Sequence, residues 1–570
     1  AGFNNVSGTL LSAFGDSALL NNTSGNGNTA FGSSALKGIK GPITGHVNVA
    51  VGNNAMSSIT GGGQNVAIGD NAMHKNETGN VNVAIGAGSF ESAIKGDGNI
   101  SIGLWSQRQN DSGYNNIAIG TQALYSNDSS RNTAIGFQSL FYNNRNSNVA
   151  YGHSSGTMVS YAQTSPLLGV ENTYLGYAAG YYTNTGSKNV AIGNRSLQGM
   201  GYFIGDVPTN DNYKRNVSIG DSAMFYSVGS DNVAVGFKTL SNSQYGGRHI
   251  AIGSRALTNT TATYPNTAIG YLSMDSITTT GANTALGSYT LASAKTGSNN
   301  TAIGNAAMYE AIATLGNLTN NTAVGNNSFR KGRYYGNSAF GADALSADTA
   351  GYWNTAIGYV SMQNRTKGIL NTGLGVSSLR SSTFGDLNTA IGANALYAQD
   401  TADRVTAVGY EALFYNNRDY NTAIGAWAGW GNSWNSNNLS EGTENTMIGY
   451  GALTGNAYGS KNVAIGHMAM SIFSPATFVS GSAPSRNVGV GDSALQKNRG
   501  NDNTAIGFNS LGNNTSAVGN TSLGSISLVN HQIGNYNTAI GFESMTADTS
   551  GSLNTAVGWR SLRNTFVGSE

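Results

Sequence analysis

Read as a string of apolar and polar positions, the chain repeats one short phrase, N-[TV]-A-[IV]-G-x-x-[AS]-[LM]. Clear copies stand at Asn65-Val66-Ala67-Ile68-Gly69, Asn132-Thr133-Ala134-Ile135-Gly136, Asn266-Thr267-Ala268-Ile269-Gly270, Asn388-Thr389-Ala390-Ile391-Gly392 and Asn537-Thr538-Ala539-Ile540-Gly541. About 32 copies are countable once degenerate ones are included. Gly52, Gly69, Gly86, Gly103 and Gly120 lie 17 residues apart, as do Gly236, Gly253, Gly270, Gly287 and Gly304, a period too short for a helix pair. Inside the phrase the alternation has period 2: Val66 and Ile68 fall on one side, and Asn65, Ala67 and Gly69 on the other. Each coil is therefore expected to hold one short strand. Its β-branched face is expected to pack into a core. Its Ala/Gly face is expected to admit another backbone at close range, from the opposite wall or from a neighbouring chain.

The Ala-Leu or Ala-Met pair that follows, as in Ala35-Leu36, Ala123-Leu124, Ala256-Leu257 and Ala395-Leu396, predicts a second, shorter strand. The remainder of each coil is rich in Asn, Gly, Ser and Thr, which form turns. Asn recurs at one position in about 28 of 32 copies, so Asn65, Asn132, Asn266, Asn388 and Asn537 are candidates for a stacked ladder whose amides bond between coils. Leu11, His249, Val405 and Thr515 interrupt that row. The fold class that follows is all-β, a parallel β-solenoid or β-roll of about 17-residue coils. Coils stacked at strand spacing, about 4.8 Å each, predict a rod roughly 150 Å long.

A longer period is superposed on the short one. The stretched intervals Gly152–Gly176 and Gly193–Gly220 recur as Gly425–Gly449 and Gly466–Gly491, and Gly32–Gly52 recurs as Gly304–Gly325, about 272 residues on. Leu140-Phe141-Tyr142-Asn143-Asn144-Arg145 likewise reappears as Leu413-Phe414-Tyr415-Asn416-Asn417-Arg418. This organisation predicts a first fifteen-coil module at 1–286, a second at 287–557 and the start of a further one at 558–570. Matched stretched coils are expected to protrude at heights about 72 Å apart. Neither end shows a polar cap and the last coil is unfinished, so the natural protein is expected to continue in both directions.

Composition narrows the picture further. With 79 Gly, 6 Pro and 10% charged residues in 570, and apolar content that leans on Ala, the chain suits a thin coil better than a thick core. A net charge of +1 with no basic stripe argues against nucleic acid as a partner. No apolar run approaches the roughly 18 residues of a membrane span, so insertion of this segment in a membrane is not expected. Cysteine is absent, which removes disulfides and thiolate chemistry.

The repeated string N-[TV]-A-[IV]-G-x-x-[AS] resembles the head repeats of trimeric autotransporter adhesins and similar repeats in phage tail fibres. The resemblance runs through essentially the whole chain, and a short motif gains specificity when repeated about thirty times in register. It implies a left-handed β-roll that assembles as a homotrimer. Two departures are visible: the coil is a few residues longer than the adhesin head coil, and neither a heptad stalk nor a membrane anchor is seen.

Candidate chemistry is sparse. His46, His74, His153, His249, His467 and His531 show no metal-type spacing, so solvated or ladder-disrupting roles are expected. Asp16, Asp70, Asp221 and Asp492 follow marker glycines without the calcium-binding β-roll pattern, and no metal or cofactor is expected. Acids total 28 and seldom recur at matching positions, which does not suggest a carboxylate pair for glycan cleavage, and no catalytic residue is nominated. Trp427, Trp430 and Trp434, in the stretched coil after Gly425, are the candidate surface-binding residues; the plainer reading is that they pack the loop onto the rod. The expected function is therefore a non-catalytic structural fibre or adhesin segment that self-assembles into a homotrimer or filament. It would sit outside the cell, on a cell surface or virion. The alternative is a glycan- or receptor-binding module of a tail fibre that uses its stretched aromatic loops.

Overall fold

The computed structural model describes residues 4–157, 169–183, 186–199, 214–243, 246–262, 264–278, 281–311, 318–398, 401–431, 442–455, 459–472 and 484–564. Among them are 31 strands of three residues each, with no helix. The chain divides into two compact units, Ala1–Leu286 and Gly287–Glu570. The first holds β1 (Ser12–Phe14) to β16 (Thr284–Leu286), the second β17 (Thr301–Ile303) to β31 (Thr555–Val557). Within each unit every strand pairs parallel with the next in sequence order, with the central residues, mostly Ala, in register: Ala67 faces Ala84, and Ala390 faces Ala407. The protein is thus an all-β solenoid of about 17-residue coils.

The marker glycine sets how closely coils approach. At Gly69 φ is +138°, and a Cβ there would stand 2.5 Å from the carbonyl oxygen of Gly86; at Gly392 the corresponding distance to Gly409 is also 2.5 Å. Any side chain would push the coils apart. At the marker glycine the close approach on this face is to the next coil of the same chain, while the central strand position, as at Gly373 and Gly489, lies close to the turn across the coil.

Which face is inside also differs from expectation. The central Ala is the buried one: Ala67, Ala84, Ala134 and Ala268 are fully enclosed, while Val66 is half-buried and Ile68 remains 39% exposed. The reason lies in the Ala-Leu pair. Ala35-Leu36 and Ala123-Leu124 form turns, not a second strand, yet Leu36 and Leu124 are completely buried. Both have left-handed backbones, with φ of 49° and 50°. That conformation costs roughly 1–2 kcal/mol, which burial of a leucine, worth about 1.5–3 kcal/mol, offsets. The turn thus supplies the interior bulk, and the strand has room to point only a methyl inward.

Alternating backbone hands also align peptide groups along the stack. The Met56 N–H donates to Ala72 at 2.9 Å in the following coil, and the Asn54 N–H donates to Ser33 at 2.9 Å in the preceding one. The turns therefore hydrogen-bond between coils as strands would.

The asparagine row forms a ladder. Asn65 Oδ1 accepts the Asn82 backbone N–H at 2.9 Å and the Asn82 side-chain amide at 3.1 Å, while Asn65 Nδ2 donates to the turn carbonyl of Gly79 at 2.7 Å. Asn132, Asn388 and Asn537 accept in the same way from Asn148, Val405 and Asn554. His249 does not interrupt the row. Its Nδ1 takes the place of an amide oxygen and accepts the Asn266 N–H at 3.1 Å, while its own N–H donates to Asn232 at 2.8 Å. Thr515 is not in the row at all; Asn520, which bonds Asn503 and Asn537, fills that coil, and this removes one of the 32 sequence copies. Val405 is a true gap: it donates its backbone N–H and has no amide to pass on.

One local exchange escaped the sequence pattern. Tyr174 occupies a central-strand position and is fully buried, its hydroxyl 2.7 Å from Thr183 Oγ1. Glycine compensates above and below, since a Cβ at Gly156 or Gly180 would collide with the Tyr174 ring. In the second unit Met447 repeats this with Gly429.

The ladder generates two expectations. Asn82→Ala strands the buried Asn99 N–H and Gly96 carbonyl and is expected to cost about 2–5 kcal/mol, whereas Val405→Asn completes the row and adds about 1 kcal/mol; denaturant unfolding of each variant measures both. Burial pulls His249 down to about 4, from 6.5 in an open chain. The unfolded chain then binds the extra proton between pH 6.5 and 4, so the ladder is at full strength above pH 6.5 and weakens as pH falls. His249→Asn is expected to abolish that loss, on the order of 3 kcal/mol between pH 7 and pH 4, read as the difference between the two unfolding curves.

Candidate interaction surface

Because the strand's Ala faces inward, its two flanking residues face outward on every coil. In the first unit they form two apolar rows, Val66, Val83 and Ile100 beside Ile68, Ile85 and Ile102. In the second unit one row becomes threonine, with Thr355, Thr389 and Thr422 beside Ile357, Ile391 and Ile424, the last three 37–43% exposed. Polar turns border these rows on both sides.

Aromatic rings form further columns. In the first unit Phe137 lies 4.9 Å from His153, which lies 5.3 Å from Tyr177. In the second, Tyr410 lies 6.3 Å from Trp427, Trp427 5.1 Å from Tyr450 and Tyr450 5.5 Å from His467. Phe137 matches Tyr410 and Tyr177 matches Tyr450, but the middle ring comes from the residue next to the marker glycine in one unit, His153, and from the following residue in the other, Trp427. Trp427 Nε1 donates to Glu411 Oε2 at 3.1 Å, and the indole stays 39% exposed.

A second column begins with a guanidinium. Arg108 donates to Glu91 at 2.7 Å and to the Tyr125 hydroxyl at 3.3 Å, and Tyr125 stacks on Phe141 at 4.9 Å. Arg380, Gln363, Tyr397 and Phe414 repeat it, with rings 4.8 Å apart. Trp430 joins this column through Tyr415, 5.8 Å away edge-on, and is half-buried. The two candidate tryptophans therefore belong to different columns. Trp434, and the outer parts of the stretched coils after Gly152, Gly193, Gly304, Gly425 and Gly466, lie outside the described residues, whereas the stretched coil after Gly32 is described throughout and pairs back through Ile43 to Asn22 of the preceding coil. The rings of Phe137, His153 and Tyr177 were not nominated from sequence. The signal was present as aromatic residues directly after successive marker glycines.

Acidic and basic residues serve local structure. Asp70 accepts from Asn53 at 2.9 Å, Asp221 from Ser222 at 2.5 Å, and Asp492 from Ser493 at 2.6 Å. Asp492 also lies 3.4 Å from His467. Among the described residues no three His, Asp or Glu converge as a metal would require, and no helix is long and apolar enough to cross a membrane. His531 departs from the expected solvated role, being fully buried. Comparison with family models, with curated proteins and with solved structures finds no match to this chain.

Proposed function

We propose that the chain is a non-catalytic structural segment of an extracellular fibre or adhesin, self-assembled as a homotrimer or filament through its outward strand rows. The observation that carries this reading is the pair of outward β-branched rows, repeated on strand after strand. At about 4.8 Å per coil and about 10 Å across, the sixteen strands of the first unit present roughly 750 Å². That is close to the about 800 Å² per partner of a standard protein interface. A second copy of the same surface is the natural occupant, because its rows carry the same axial spacing and mate without unpaired charge. The resemblance to adhesin head and tail-fibre repeats supports the same reading and a place on a cell surface or virion. Light scattering after size exclusion should give an integral multiple of 58.8 kDa. Replacing Ile68, Ile85 and Ile102 by Lys should give a folded monomer with unchanged β-sheet circular dichroism. A wild-type monomer at tens of micromolar would overturn the assembly reading and leave the solenoid intact.

The aromatic column favours a second reading, a glycan- or receptor-binding face. Its ring stack is present in both units although different residues supply the middle ring. Glycan-array binding that Trp427→Ala abolishes supports it, and binding that survives that substitution removes the column from the contact.

A further inference from the structure

The outward rows and the asparagine ladder are nearly the same in every coil, so they do not distinguish one coil from another. A coil that skipped its neighbour would still find Ala opposite Ala and Asn opposite Asn. Something else must tell coils apart. Among the described residues, the interior column that varies most in polarity is the buried position five or six residues before each ladder asparagine. In the first unit it reads Ile59, Asn76, Ala93 and Asn110 through successive coils, and its described members are uncharged. In the second unit it carries ionisable side chains. Asp348 and Arg365 occupy it in adjacent coils, as do His531 and Asp548, and all four are at most 1% exposed.

The two carboxylates sit in the same turn, Ala-Asp-Thr-x-Gly. Asp348 Oδ1 accepts from the Gly351 and Ala350 N–H groups at 2.6 and 3.1 Å, and Asp548 Oδ1 accepts from Gly551 and Ser550 at 2.8 and 3.2 Å. Asparagine closes that turn equally well elsewhere: Asn514 accepts from Ala517 at 2.8 Å and Asn110 from Gly113 at 2.7 Å. The turn does not need an acid. What the acid adds is an Oδ2 with no hydrogen-bond partner, in both cases. Each acid has a buried base in an adjoining coil. Arg365 reaches forward to Ser382 Oγ at 3.1 Å and to the Gly385 carbonyl; it makes no direct ion pair with Asp348, but the negative charges of Asp348, Asp386 and Asp403 act on it through space. His531 donates from Nε2 to Gly534 at 2.6 Å and points Nδ1 at Asp548 Oδ2, 3.8 Å away. Burial pushes the Asp348 carboxyl up to about 6 even with that arginine nearby, so it is held at an energetic cost.

We propose that these buried couples are register keys: each marks two coils that must be stacked consecutively, because skipping either leaves an ionisable group sealed inside without its partner. A buried ion pair contributes little net stability against an apolar pair, but breaking one is severe. That asymmetry is what a register key requires. Without keys, a chain of thirty near-identical coils has many compact alternatives of similar energy.

Coil deletions imitate skips directly. Removing residues 359–375 takes out the Arg365 coil at its marker glycines and sets Asp348 against the Ser382 coil. Removing residues 342–375 takes out both members of the couple and twice as much protein. Amide exchange in the flanking strands Ser338–Phe340 and Thr389–Ile391 reports opening. The expected result is inverted with respect to size: the 17-residue deletion opens roughly a hundredfold faster than the 34-residue deletion. Asp348→Asn in the shorter deletion should restore slow exchange, which also covers the case in which the shorter deletion alone fails to fold. Exchange that is at least as fast in the longer deletion, or a shorter deletion that Asp348→Asn does not rescue, overturns the proposal.

Discussion

Among the described residues, coil after coil closes around a glycine that has no room for a side chain. The marker glycines pack so that the Cα of one looks onto the carbonyl of the next, with 2.4–2.6 Å where a Cβ would stand at Gly32, Gly69, Gly358 and Gly541. The rest of the structure follows from that approach. It brings successive coils within hydrogen-bonding distance at their turns as well as their strands, so turn peptides bond between coils as the strands do. It also sets the spacing at which an asparagine amide spans from one coil to the next and still reaches a turn carbonyl. A coil drawn this tight has a narrow interior, which holds a methyl from the strand, a leucine or methionine from the turn, and the ladder amide. Where the strand contributes more, as at Tyr174, glycine must replace the bulk on either side.

Period, strand position, parallel pairing and the asparagine row could all be read from the residues, because each depends on spacing alone. The direction of the strand could not. Alternation divides a strand into two faces without saying which is inside, and bulk pointed to Val66 and Ile68 rather than to Ala67. The deciding fact was the left-handed backbone of residues such as Leu36 and Met56, a conformation leucine and methionine rarely adopt and no propensity would suggest. Once those side chains fill the interior, Val and Ile have nowhere to go but outward. His249 was misread for a related reason: a residue type was compared with asparagine, when what the ladder needs is an acceptor atom at the right reach, which an imidazole nitrogen supplies. Trp427 and Trp430 are close in sequence yet fall in separate columns, since three residues around a coil corner change the face.

The outward strand rows have diverged between the units where the central strand position has mostly kept its alanine. The first unit presents mostly Val and Ile beside Ile, the second mostly Thr beside Ile, over the same buried alanines. Threonine keeps the β-branched shape and the methyl while adding a hydroxyl, so the two units offer surfaces of similar relief and different polarity.

The aromatic columns carry the same lesson about what is held fixed between the units. If the ring stack beside the stretched coil were incidental, a change from His153 to Ala426 at the matching position would simply have opened a gap. The gap is filled, and by a different residue, Trp427, placed by an adjacent turn position and tied down by Glu411. A packed coil corner does not demand this, because many other coils carry a small or polar residue after the marker glycine, such as Ser33, Asn53, Asp70 and Ser254. The stack itself has been maintained while its members changed. Rings about 5 Å apart on a rigid wall are therefore a property of the surface and not a by-product of the core.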